Sequence, residues 1–147
     1  NSKNPTALGR TQSLEPLLPV AQRAGIDNTL IDTPNIDIPD PGPVSKAIYY
    51  VKEKYGLPAG AGTHNAVSLW KGRRKLEPKQ VLIASSVANV FPIIMGGHFM
   101  LYGPIEGAQD AYFYCGLADA YISYSMRYEF KIEPMSTEHP VYKIFRG

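Results

Sequence analysis

The sequence predicts an α/β chain of parallel strands, the carboxyl-terminal part of a (βα)8 TIM barrel, about strands six to eight with their helices and incomplete as a barrel. Three observations point there. Amphipathic stretches of helical period alternate with short apolar or small-residue runs. Glycines and prolines stand at the junctions. The resulting order, helix, strand, helix, strand, helix, strand, helix, requires parallel strands joined by crossovers. With 147 residues, 44% apolar and 19% charged, the chain is expected to be one globular unit over 1–147 rather than a disordered one.

Ser13 precedes Leu14, Leu17, Leu18 and Ala21, an i, i+3, i+4, i+7 stripe that Gly25 can end, which predicts a helix at roughly 14 to 24. Pro16 suits a first turn, whereas Pro19 removes a donor deeper in, so a bend or a later start is expected. Ile26 to Asp32 suits a buried parallel strand finishing on a carboxylate. Thr33 to Pro43 holds four prolines and reads as a stiff, exposed loop. Pro43 then opens the stripe Val44, Ala47, Ile48, Val51 and Tyr55, with Gly56 as the stop.

Leu57 to Gly62 stands where the next strand should be, and its small residues let a ligand or a second backbone approach closely. Lys79 to Met95 is apolar nearly all round, which implies a helix buried on more than one side and ended by Gly96-Gly97. His98 to Tyr102 makes the third strand. Gly103-Pro104 turns the chain into a tyrosine-rich helix at about 107 to 128, and the tail beyond Phe130 reads as irregular.

Three parallel strands with helices on one face leave the other face wet, at about 25 cal/mol for each Å² of apolar surface exposed. A closed barrel of ~250 residues covers that face with its own remaining strands. The chain opens on Asn1 rather than Met. The expectation is therefore the second half of a barrel, with the first strands absent or carried on another chain.

Several function classes are disfavoured. Fifteen Lys and Arg against thirteen Asp and Glu leave +2, far from the basic field of a nucleic-acid binder. One cysteine, Cys115, makes no internal bridge and reads as packing; no Cys/His cluster has metal-ligand spacing, so no bound metal is expected and a reducing cytoplasm is the default. The apolar run 80–95 contains Pro92 and falls short of the ~20 residues a spanning helix needs, so neither membrane insertion nor a signal peptide is expected.

Barrel chemistry comes from the carboxyl ends of strands. Asp32, Gly60 to Asn65, and Tyr102 to Glu106 fall there, and Asn1 would follow a fifth strand. Each has a plainer reading. Asp32 can cap the turn before Pro34; Gly60 to Asn65 can be a phosphate cradle; His64 can satisfy a local hydrogen bond. The run Lys71-Gly72-Arg73-Arg74-Lys75 reads as a solvated face or a docking patch for an acidic partner. The helix tyrosines read as core or subunit contact. Self-association into a homodimer through the helices at 79–95 and 107–128 is expected from their all-round apolar surface.

Gly56-Leu57-Pro58-Ala59-Gly60-Ala61-Gly62-Thr63-His64-Asn65, Leu101-Tyr102-Gly103-Pro104-Ile105-Glu106 and Glu138-His139-Pro140-Val141-Tyr142-Lys143 resemble, in order and spacing, the H subunit of tetrahydromethanopterin S-methyltransferase. Asn1-Ser2-Lys3-Asn4-Pro5-Thr6 resembles that family's segment after its fifth strand. The resemblance spans nearly all of this chain and the second half of the family's length. Bacterial relatives, among them the enzyme that methylates tetrahydrofolate in glycine betaine metabolism and the methyltetrahydrofolate:corrinoid protein methyltransferases, share a barrel.

The resemblance implies methyl transfer between N5 of a reduced pterin and the cobalt of a cobalamin carried by a corrinoid protein. It implies an Asp that hydrogen-bonds the pterin ring, matched by Asp32, and an Asn in a Gly-x-x-Asn context that reaches N5, matched by Gly62-Thr63-His64-Asn65. Asn65 is thus the expected catalytic residue, with Asp32, Gly62, Ser68 and Asn1 as further pterin contacts. Ser68 stands where distant relatives carry Gln. Because Ala7 to Pro19 matches the methanogen family less well, the expectation leans to tetrahydrofolate or its methyl form over tetrahydromethanopterin. Two other readings stay open: a non-catalytic subunit that docks a corrinoid protein, and a phosphate-binding barrel enzyme.

Overall fold

Three short parallel strands form the sheet in the order β1-β2-β3: β1 is Ile31–Asp32, β2 Ala59–Ala61 and β3 Phe99–Met100. The register sets Asp32 beside Gly60 and Gly60 beside Phe99, so β2 is the central strand. The computed structural model describes residues 4–36 and 38–145. Contacts gather the chain into two units, Asn1–Gly103 and Pro104–Gly147.

In the first unit, helix α1 spans Ala7–Gln12, α2 Leu18–Arg23, α3 Gly42–Tyr55, α4 His64–Arg74 and α5 Pro78–Ile94. The core forms where α3 lies on β2. Val44, Ile48 and Val51, spaced on one helix face, pack with Ala59 and Ala61, all at most 1% exposed. Val44, Ile48 and Val51 each contribute roughly 1.5–3 kcal/mol of transfer free energy. Helix α5 packs on α3 and β3, and α1 packs on α3.

Ala59 and Ala61 face α3, so strand alternation sends Gly60 and its neighbour Asp32 to the other face of the sheet. Leu30 and Leu101, on that same side, are 70% and 50% exposed. Helix α3 therefore covers one face of the sheet, while Leu30 and Leu101 stand exposed on the other.

Several elements differ from expectation. The helix expected at 14–24, with a bend or a later start, does start later, at Leu18, but a separate α1 precedes it. Thr6 caps α1 by accepting from Gly9 N–H at 3.1 Å, while Ser13 ends α1 instead of opening a helix, its hydroxyl bonding the Gly9 and Arg10 carbonyls. The strand expected over 26–32 narrows to Ile31–Asp32, because β1 is an edge whose ladder bonds reach only β2.

Helix α4 was not expected at all. Its apolar face is brief, Ala66 and Val67 against α5, and Gly72 interrupts it. The basic run 71–75 is its carboxyl end, where Lys71, Arg73 and Arg74 complement the negative pole of the helix dipole. Helix α5 is secured by a reciprocal capping box between Glu77 and Gln80. It is not buried on more than one side: Leu82, Ile83, Val87, Phe91 and Ile94 are all exposed.

In the second unit, a 3-10 turn at Ile105–Gly107 leads into α6, Ala108–Phe130. The tail is not wholly irregular, because α7, Pro140–Ile144, packs on α6. Phe145 lies against Tyr121 and Tyr124, and Tyr142 donates to Glu133 at 2.9 Å beneath the Arg127 guanidinium. Half-buried Cys115 has its thiol pushed up to about 11 by burial and by Asp119, consistent with packing rather than reactivity. Among the described residues, no helix is long and apolar enough to cross a membrane.

Gly60 has no room for a side chain, since a Cβ there would overlap the Phe99 carbonyl and lie 2.7 Å from its ring carbons. Gly60→Ala is expected to destabilise the first unit by about 1–3 kcal/mol, the range for overpacking. Denaturant unfolding followed by far-ultraviolet circular dichroism measures this; an unchanged midpoint would contradict the packing.

Candidate functional site

The carboxyl end of β1 is held by residues that the sequence did not single out. Thr33, 4% exposed, donates its N–H to the Gly60 carbonyl at 3.0 Å and its hydroxyl to the Val44 carbonyl at 3.0 Å. Arg10, also buried, donates Nε–H to the Pro5 carbonyl at 3.0 Å and an Nη1 proton to the Pro34 carbonyl. These bonds anchor the chain on leaving Asp32. Asn35, 1% exposed, has neither amide atom partnered among the described residues.

Asp32 itself lies on the bare side of the sheet edge and is exposed. Partial burial of its carboxyl group raises its pKa above the usual carboxylate range, with no cation acting against it. A 230 Å³ hollow adjoins this strand end, lined by residues of α1 and the turn after it, by Ile31 to Pro34 and by Val51.

The carboxyl end of β2 is anchored differently. Thr63, fully buried, donates its hydroxyl to Oδ1 of equally buried Asn89 on α5 at 3.1 Å. This fixes the turn from which α4 rises. Asn65 sits half-buried in the first turn of α4, its N–H 3.4 Å from the Gly62 carbonyl. Gly62 is buried, with Leu101 and His64 at van der Waals distance from where a Cβ would stand. Ser68, three residues past Asn65 and thus on the same helix flank, is exposed and bonds back weakly to the His64 carbonyl at 3.5 Å.

His64, set aside on sequence grounds as a local hydrogen-bonder, does make such a bond: Nδ1 lies 3.0 Å from the Leu101 carbonyl just beyond β3. The phosphate-cradle reading loses support, because Gly60 and Ala61 are paired within the central strand rather than free in a loop. Among the described residues, no group of three or more His, Cys, Asp or Glu could hold a metal. Asn1 lies outside the described residues.

Asp32 and Asn65 thus stand at the same end of adjacent parallel strands. The hollow beside Asp32 is not lined by Asn65, so the two share an edge of the sheet and not that hollow. In α/β proteins, the carboxyl ends of parallel strands are where ligands are commonly bound.

Comparison with known proteins makes this class specific. The model of the tetrahydromethanopterin S-methyltransferase MtrH subunit matches residues 6–135, and the chain belongs to that family. It is 35% identical over 132 residues to the tetrahydromethanopterin S-methyltransferase H subunit of Methanothermobacter thermautotrophicus, covering 87% of this chain and 42% of that one. With the Methanosarcina acetivorans counterpart it shares 30% over 160 residues, 98% of this chain and 50% of the relative. With the Methanocaldococcus jannaschii counterpart it shares 32% over 141 residues, 87% and 44%. The chain spans about half the length of the curated relatives it matches. Their names carry tetrahydromethanopterin, not the tetrahydrofolate towards which the sequence leaned, and the family match includes the whole of the segment 7–19 on which that lean rested.

The raised pKa of Asp32 gives a signed prediction. Folding favours its protonated form, so ionisation costs stability as pH rises through and above the usual carboxylate value of ~3.9. Asp32→Asn is therefore expected to melt at a higher temperature than the parent at pH 7, and the difference should vanish near pH 3. A lower melting temperature for the variant at pH 7 would contradict the assignment.

Proposed function

We propose that this chain supplies the carboxyl half of a pterin-dependent methyltransferase, which moves a methyl group between N5 of a reduced pterin and the cobalt of a cobalamin carried on a corrinoid protein. The observation that carries this reading is the placement of Asp32 and Asn65 at adjacent strand ends in a chain of the MtrH family. The relatives' names favour tetrahydromethanopterin over tetrahydrofolate as the pterin. The bare sheet face, with Leu30 and Leu101 exposed, supports completion by further strands into a barrel.

The chemistry suits these residues. An amine nitrogen leaves poorly, so the methyl group departs only if N5 gains a proton or a strong hydrogen bond as charge builds on it. Asn65 has a carboxamide with no hydrogen bond among the described residues, free to turn onto N5. A donor used only in the transition state is worth roughly 2.7–4 kcal/mol. The Asp32 carboxylate accepts from adjacent pterin N–H groups and fixes the ring's orientation. Gly62 and Ser68 would flank the ring by backbone and hydroxyl, and Asn1 would approach from the preceding strand end.

In the full-length protein, Asn65→Ala is expected to slow methyl transfer from the N5-methyl pterin to free cob(I)alamin by about 10²–10³-fold. Asp32→Ala should chiefly weaken pterin binding in calorimetry. Parent-like rates and affinities in both variants would refute the site. Heat from the pterin alone separates an enzyme site from a protein that only docks a corrinoid partner. Self-association through the exposed apolar residues of α5 and α6 belongs to the same reading, and light scattering that gives a monomer would count against it.

A further inference from the structure

We infer that His64 holds the proton that ends on N5. This deepens the preceding proposal and rests on it. His64 opens α4 next to Asn65, directly after the Thr63 hydroxyl is fixed to Asn89. Its Nδ1 lies 3.0 Å from the Leu101 carbonyl oxygen. A carbonyl only accepts, so Nδ1 carries hydrogen whatever the charge on the ring, and Nε2 is the nitrogen that gains and loses a proton.

The second observation is the space kept for that edge of the ring. A Cβ on Gly103 would stand 2.8 Å from Cδ2 and 3.0 Å from Nε2, while one on Gly62 would lie 3.7 Å from Cε1. Gly103 also adopts φ +101°, a conformation that L side chains rarely take. Two glycines from two strand ends thus flank the imidazole. Nε2 itself has no hydrogen-bond partner among the described residues. A histidine kept only for local structure needs its Nδ1 bond and nothing more.

Titratable and charged side chains on surrounding elements include Asp32 at the end of β1, Asp40 before α3, His98 before β3, Tyr102 beyond β3, and Lys71, Arg73 and Arg74 at the far end of α4. Helix α5 carries only Lys79, at its start. Asp32 and His64 therefore divide the work at this rim, one orienting the pterin and the other protonating it.

The step balances. The Co(I) lone pair forms the Co–C bond as the N5–CH3 bond breaks. The N–C electron pair stays on N5 and takes the proton from Nε2. His64 is left neutral, with Nδ1–H still on Leu101, and the reverse transfer returns the proton.

The test is methyl transfer by the full-length protein from N5-methyl-tetrahydromethanopterin, with N5-methyl-tetrahydrofolate in parallel, to free cob(I)alamin. In His64→Asn the amide nitrogen can keep the bond to Leu101 but nothing replaces Nε2. We expect a parent-like circular dichroism spectrum, pterin affinity within a few-fold, and a rate lower by about 10²–10⁴-fold. Added imidazole should restore part of the rate in His64→Ala in a concentration-dependent way. A parent-like rate in His64→Asn, or a loss that imidazole leaves untouched in His64→Ala, overturns the inference. If the parent protein neither binds nor demethylates either pterin, the underlying functional reading fails first. If the parent works and needs Asn65 while His64→Asn matches it, only the role of His64 falls.

Discussion

The constraint on which the first unit depends is the close approach of two backbones at Gly60. Because β2 is central and carries no side chain on its bare side at Gly60, β3 can lie against it with the Phe99 ring over the gap. The alternate residues Ala59 and Ala61 then meet α3 without forcing it outward. Parallel pairing follows, and with it a common end for all three strands. A larger residue at position 60 would push β3 away from β2, the strand whose end leads to Asn65.

Once the strands share an end, the exits of β1 and β2 are each fixed by a buried polar clamp rather than by apolar packing. Thr33 ties the first exit to Val44 and Gly60, Arg10 ties it to α1, and Thr63 with Asn89 ties the second exit to α5. Buried hydrogen-bonded groups of this kind cost more to leave unpaired than they contribute when paired, which makes the geometry specific rather than merely stable. The candidate side chains Asp32 and Asn65 project from clamped backbone while remaining partly open themselves. In the second unit the same role falls to the Glu138 to Lys143 segment, where the His139 ring caps α7 and Tyr142, Glu133 and Arg127 join it to α6.

Hydrophobic period carried most of the fold. The α3 stripe, the α5 run and the long tyrosine helix were legible because each repeats at helical spacing over many residues. Helix α4 was not, since its buried face amounts to Ala66 and Val67 and its start coincides with the site motif. Of the candidate site, Asp32 was legible as a carboxylate closing an apolar run, and Asn65, Gly62 and Ser68 only through family resemblance. Arg10, Thr33, Thr63 and Asn89 were not, because a buried polar residue looks in sequence like any loop or helix-surface residue.

The sequence by itself determined the alternation of elements, the stops at Gly56 and Gly96-Gly97, and the kinds of chemical group available at the strand ends, since local propensity and side-chain identity need no partner to be read. Tertiary structure alone decided strand order and register, the bare sheet face, the lone burial that raises the Asp32 pKa, and the ring nitrogen that His64 presents. Each of these depends on residues distant in the chain meeting: Asp32 with Gly60, Gly60 with Phe99, and His64 with Leu101 and Gly103.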